Sequence, residues 1–341
     1  MSTPHRYRHL LLAAAFQVLT LSGGHADPIE SFFHGKTVTL YIGYSAGGGY
    51  DLYARLLARH LGKNIPGNPN VVPENMPGAG SLKAIAYLAK VAPRDGTVIG
   101  TFARGMPFYP LLFSPDFDAT KLGYIGSITK DTSLCIAWNT SQVKRWDDLF
   151  VAQANFGGEG KGADPDMFAT LLAQEFGAKV KLVTGYPGTA DMTLAMERGE
   201  LDGLCGISYS TLTSAHQDWL AGKKINILVQ VAMEKDPSLP DVPSLLDLAK
   251  DAKQRQVTEL AAAPQEMARP FAAPPDLPPE RLAALRRAFD QTMTDPEFLA
   301  DAAKSGLDVN PLTGEALNQL VTKLYDTPQD VVKEAAQVMG E

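Results

Sequence analysis

Apolar runs of strand length alternate with amphipathic runs of helix length along this chain, and glycine-rich loops join several of them. From Lys36 the order is strand ("TVTLYIGY"), helix (Leu52, Leu56 and Leu57 inward, with Arg55, Arg59 and Lys63 outward), short strand ("PNVVPEN"), helix ("SLKAIAYLAKV") and strand ("DGTVIGTFA"). That order describes a parallel sheet with helical crossovers. A second series follows "KLGYIGSITKD": "SLCIAW", a segment near "ANFGG", a helix from Asp164 to Phe176, "KVKLVTG", "TADMTLAMERG", "LDGLCGI" and "TLTSAHQDWLAG". Asp164 and Pro165 fit an N-cap and first turn, and Gly177 fits a stop. "INILVQVA" reads as a strand returning to the first lobe, and the tail reads as helices opened by "LPPERL", "DPEF", "TGEAL" and "TPQD". The stretch "VTELAAAPQEMARPFAAPPDLPP" carries no clear period.

Two α/β lobes are therefore expected, residues 27–124 with 230–341 and residues 125–229, with a cleft between them. Loops at the C-terminal ends of the strands face such a cleft. Here they are "SAGGGYD", "NMPGAGS", "FARGMP", "GGEGKGAD" and "GYPGTAD".

Residues 1–26 stand apart, with Arg6 and Arg8 ahead of a short apolar core and small residues Gly24 and Ala26 before Asp27. This is the pattern of a cleaved secretory signal peptide, and it places the mature protein in the periplasm. Cleavage removes two arginines and no acid, so the formal charge moves from −7 to −9. With no long basic run, nucleic acid is excluded as a partner. Export also places Cys135 and Cys205 where a disulfide can form. They are either two buried thiols or a bridge between neighbouring strands.

The loops admit several chemistries. "GYSAG", Gly43 to Gly47, matches the G-x-S-x-G nucleophile elbow, with Asp202 and His216 following in hydrolase order. But Ser45 follows the first strand of the mature chain, so no earlier strand supplies the oxyanion-hole loop. A secreted serine esterase is the alternative this leaves. "GGEGKG" fails as a phosphate loop, because Asn155 stands where glycine is needed and Gly162 follows Lys161. No His/Cys cluster has metal-ligand spacing, and no cofactor is expected. Binding remains: two helix N-termini, one per lobe, can hold a carboxylate from both sides.

Taken in order, "YSAGGGYDLYARLLARHL", "VVPENMPGAGSLKAIAYLAKVAPRDGTVIG", "WDDL", "GGEGKGAD", "GYPGTADMTLAMERGELDG" and "LPDVPSLLDLA" resemble the substrate-binding receptors of tripartite tricarboxylate transporters, the Bug-type family. The resemblance covers almost the whole mature chain. It implies an α/β, two-lobed periplasmic-binding-protein fold (type II-like) that closes on an organic carboxylate. It also implies a monomer without enzymatic activity, serving a permease of one small and one large membrane subunit. A ligand-binding partner of a sensor protein would share the same cleft.

The first family loop falls on Ser45 to Arg55 and the second-lobe glycine loop on Gly157 to Asp164. Ser45 and Ala46 stand where prolines are usual, Ser81 replaces a glycine, and "YPG" replaces Tyr-Lys-Gly. The expected ligand-binding residues are Ser45, Ala46, Gly47, Gly48, Asp51, Gly78, Arg104, Gly158, Gly160, Gly162, Asp164, Tyr186, Gly188 and Asp202. Arg104 follows the third strand, where a guanidinium can grip a carboxylate through two hydrogen bonds; the alternative is a surface arginine paired with a nearby acid. Tyr44, Tyr50 and Tyr186 are candidates to line the cleft.

Overall fold

The computed structural model describes residue 1 and residues 27–339 apart from 114 and 116, so the expected leader lies outside the described residues beyond its first position. The strands in chain order are β1 (Thr37–Ile42), β2 (Asn70–Asn75), β3 (Val98–Thr101), β4 (Gly123–Ser127), β5 (Ser133–Trp138), β6 (Ala154–Gly157), β7 (Val180–Val183), β8 (Gly203–Ser208), β9 (Ile225–Val231), β10 (Pro270–Ala273) and β11 (Leu312–Thr313). They form two sheets, ordered β11-β4-β10-β3-β1-β2 and β7-β6-β8-β5-β9.

In the first sheet β1 runs parallel to β2 and β3, as the crossover pattern requires. The Ala/Pro-rich stretch supplies β10, which lies antiparallel between β3 and β4. Its period is hidden because all four of its residues are buried. On one face of this sheet the helix Gly49–Leu61 buries Tyr53, Leu56, Leu57 and Leu61, joined by Ala284, Leu285 and Phe289 of Pro279–Thr294. On the other face, Ile85 and Leu88 of Leu82–Lys90 pack with Leu317 and Val321 of Gly314–Tyr325.

In the second sheet β6 pairs parallel with β7 and β8, whereas β5 lies antiparallel to β8 and β9. Strand β9, read from the sequence as the return to the first lobe, instead completes this sheet beside β5. The actual return is made after it, on the way to β10. The four expected tail helices are present: Pro279–Thr294, Pro296–Lys304, Gly314–Tyr325 and Gln329–Val338. The last sends Val331, Val332 and Ala335 into the second lobe's core, beside Phe168 and Leu171.

Cys135 on β5 and Cys205 on β8 form a disulfide between neighbouring strands, closing a sequence separation of 70. A loop of that length restricts the unfolded chain enough to contribute about 4 kcal/mol in the chain-entropy account. Cys135→Ala with Cys205→Ala is therefore expected to lower the urea-unfolding free energy by about that amount, and reduction of the native protein should do the same. An unchanged midpoint on reduction would contradict it.

Candidate functional site

The first glycine loop leaves β1 and turns into the helix Gly49–Leu61. Asp51, in that helix's first turn, reaches back to accept the Gly47 N–H at 2.9 Å. Arg55, one turn later, bonds the same carboxylate at 2.9 and 3.0 Å. Asn75, at the end of β2, donates to both Asp51 Oδ1 and the Tyr44 carbonyl at 2.9 Å. Burial pushes the Asp51 carboxyl up, but Arg55, the Gly47 N–H and Asn75 outweigh it and hold it below the usual range. Asp51 thus shapes the loop from within its own lobe.

The second lobe repeats the device. Asp166, again in the first turn of the helix after a glycine loop, accepts the Glu159 N–H at 2.6 Å and the Gly160 N–H at 2.8 Å, and Thr184 also bonds it. Asp166 was not singled out from sequence. The usable signal is positional: each Asp is the third residue of the helix that follows its glycine loop, Gly49–Leu61 or Asp164–Gln174.

Each of these loops meets another loop of the opposite lobe across a seam. Ser45 donates its N–H to the Pro187 carbonyl at 3.3 Å and its hydroxyl to Asp191 Oδ2 at 2.5 Å. Gly188 lies so close that a Cβ there would sit 2.7 Å from Ser45 Oγ. Gly47 and Gly48 lie opposite Thr189 and Ala190. Further along, the Gly80 N–H donates to the Glu159 carbonyl at 3.0 Å. Gly160 has φ +140°, and a Cβ on it would fall 2.7 Å from Gly80 N, so both backbone shape and space demand glycine. Gly162 packs on Tyr109 and Met106 from the loop after β3. Ala46 is exposed at the mouth of the first loop.

Arg104 crosses this seam and is 1% exposed. Its Nε donates to Asp164 Oδ2 at 2.6 Å, and its Nη2 to Ser133 at 2.9 Å and Ser208 at 3.1 Å, all in the second lobe. Its backbone N–H donates to the Tyr50 hydroxyl at 2.9 Å, and Tyr50 stacks on Tyr44. Ser81, in the left-handed region at φ 82°, accepts the Ala103 N–H at 2.8 Å and so fixes the preceding residue. Asp164 does not cap its helix as expected: Ala163 holds the N-cap position and the Asp164 carboxylate is turned to Arg104. Arg104 is therefore neither a surface residue nor a wholly free ligand donor. Its Nη1 alone is buried without a hydrogen-bond partner among the described residues. Arg269, also missed from sequence, stacks over Tyr50 and Tyr53 and pairs with Asp131 at 3.4 Å behind the seam.

Three expected residues stand further back. Gly158 lies against the Asp166 carboxylate. Gly78 opens the short turn Ala79–Ser81, and the Tyr186 N–H donates to the Gly158 carbonyl. Asp202 is not brought to the seam. It precedes β8 at the opposite end of the strand and accepts the Asn155 N–H at 2.8 Å. The hydrolase arrangement is likewise not assembled. Ser45 bonds Asp191, His216 lies on Trp219 at 4.1 Å, and Ser45 lacks the positive φ of a strained elbow.

Removing one partner of a buried ion pair costs about 3 to 5 kcal/mol, because the other charge is stranded. Parting the lobes would return Asp164 to water. Arg104→Ala is therefore expected to open the particle, read as a larger radius of gyration in small-angle scattering, rather than to unfold it. A lowered unfolding midpoint with an unchanged radius would contradict this.

The chain is 25% identical over 332 residues to the UPF0065 protein in the gbd 5′ region of Cupriavidus necator, covering 94% of each. Its fold is similar to that of the periplasmic binding protein BugD (TM-score 0.72, 21% identity, 88% of this chain and 98% of that one). It is also similar to MatC from Rhodopseudomonas palustris with bound malate (TM-score 0.67, 22% identity, 87% and 99%) and to an R. palustris protein with adipate (0.68, 18%, 89% and 98%). Residues 53–336 match the tripartite tricarboxylate transporter family receptor, TctC, and the chain belongs to that family.

Proposed function

We propose that this chain is an exported solute receptor that closes its two lobes on a small organic carboxylate and delivers it to a two-subunit membrane permease. It acts as a monomer in the periplasm and performs no catalysis. The observation that carries this reading is the meeting of loops from opposite lobes across the seam, Ser45–Gly48 against Pro187–Ala190 and Glu159–Gly160 against the Ala79–Ser81 turn. Asp51 and Asp166 take loop N–H groups for themselves, so the donors for an anion are the first-turn N–H groups of Gly49–Leu61 and Thr189–Glu197, whose N-termini lie opposite each other. The buried Nη1 of Arg104 supplies a further donor at the same place. The proposed ligand contacts are Ser45, Gly47, Gly48, Gly160, Gly188 and Arg104. The proposed hinge is the three crossings between β4 and β5, between β9 and β10, and between Gly314–Tyr325 and Gln329–Val338.

Malate and adipate, bound by relatives of the same fold, define the first ligands to try, with citrate and benzoate as longer-charged and aromatic alternatives. Residues 27–341, refolded to strip any bound ligand, should gain about 2.7 kcal/mol of stability at a hundredfold excess over Kd for one of these classes. In Gly160→Ala the added methyl meets Gly80 backbone, so the response should disappear while the protein stays folded. A flat response to every carboxylate, with ester turnover that Ser45→Ala abolishes, would overturn the proposal.

A further inference from the structure

Glu159 is a seam residue whose side chain the receptor reading leaves without a task. Its position is unusual for a carboxylate. It is 4% exposed and makes no ion pair among the described residues. Thr189, at the start of the helix Thr189–Glu197, donates to its Oε1 at 3.2 Å. From the opposite lobe, the Tyr44 hydroxyl lies beside its carboxyl, and the Gly80 N–H holds its carbonyl.

The charged groups around it offer no compensation. Asp166 is bonded to the Glu159 N–H, and Asp164 lies beyond it. Asp191, on the Thr189 helix, is engaged by Ser45. Arg104 is committed to Asp164, and Lys161 lies over the Phe113 ring. Tyr44, buried, and Tyr50, half-buried, stack on one another, and burial pushes the ionisation of both phenols up. An ionised carboxylate enclosed by two other acids and two tyrosines is costly, whereas a neutral carboxylic acid there satisfies the same partners.

We propose that Glu159 must hold a proton for the two lobes to close, so that closure takes up one proton. Parting the lobes lifts Tyr44 and the Ala79–Ser81 turn from Glu159 and hydrates the carboxylate, which then ionises normally. Closing buries it, and burial with Asp166 beside it pushes the group up to about 8. Because the raised value belongs to the closed form, closure is favoured below the ordinary carboxylate range. It weakens progressively as pH rises toward 8 and is flat above it. The inference rests on the lobe-closing part of the receptor reading, and not on which ligand is bound.

The test needs no ligand. Dyes on Val91→Cys in the first lobe and Val151→Cys in the second, both exposed sites, report the inter-lobe distance, and the native cysteines are protected as a disulfide. In carboxylate-free buffers the closing constant should fall about tenfold per pH unit through the neutral range and level off above pH 8. Glu159→Gln, which keeps the shape without the charge, should remain closed at pH 9 as at pH 6. If that variant fails to fold, Tyr44→Phe, which takes away the hydroxyl beside the carboxylate that favours its ionised form, should move the levelling-off point upward. A distance independent of pH in the native protein would overturn the proposal, as would an undiminished pH dependence in Glu159→Gln or an unmoved profile in Tyr44→Phe. A carboxylate that binds equally well at pH 6 and pH 9 would leave the receptor reading intact and remove only this inference.

Discussion

Arg104 leaves the loop after β3 and enters the second lobe at the ends of β5 and β8, where Asp164 takes its charge at 2.6 Å. Burial alone works against a charged guanidinium, and the carboxylate beside it more than restores it. Gln265 completes the arrangement by donating to Asp164 at 3.1 Å while accepting from Ser133 at 2.8 Å. One hydrogen-bonded network therefore ties the first lobe, the second lobe and the segment that joins them. Such a pair adds little to stability over an apolar filling, but it is costly to misalign. It sets how the two lobes meet, and the glycine loops come into register as a result.

Each lobe prepares its face of the seam by the same local means. A glycine loop leaves a strand, and the third residue of the next helix is an aspartate that pulls loop N–H groups back onto itself. Glycine at positions 160 and 188 then allows backbone to approach backbone or hydroxyl at distances no side chain would permit. Ser81 shows the opposite solution. It accepts a left-handed conformation and uses its hydroxyl to anchor Ala103, next to Arg104.

The alternation of strand and helix and the glycine loops were legible because period and punctuation are local properties. The position of Arg104 was legible too, since the residue after a strand end faces the cleft. Its partner was not, because Asp164 is 60 residues away and its proximity to Pro165 mimics a cap. The sheet membership of β9 and the antiparallel insertion of β10 depend on pairings that sequence order does not encode. Asp202 was misplaced for a related reason: an acid beside a strand can lie at either end, and only one end faces the other lobe. Asp191 reads from sequence as a helix cap or hydrogen-bond acceptor near the cleft, and it accepts from Ser45; Glu159 escaped notice because, inside a glycine-rich loop, an acid normally reads as solvated.

Hydrogen exchange measured with and without whichever carboxylate raises thermal stability tests the central claim most directly. If the lobes close on their ligand, slowing should concentrate in peptides spanning 43–50, 78–82, 157–164 and 185–190, the two faces of the seam. Slowing confined instead to the groove behind it, lined by Asp131, Tyr209, Glu234 and Asp308, would place the ligand elsewhere and contradict the account.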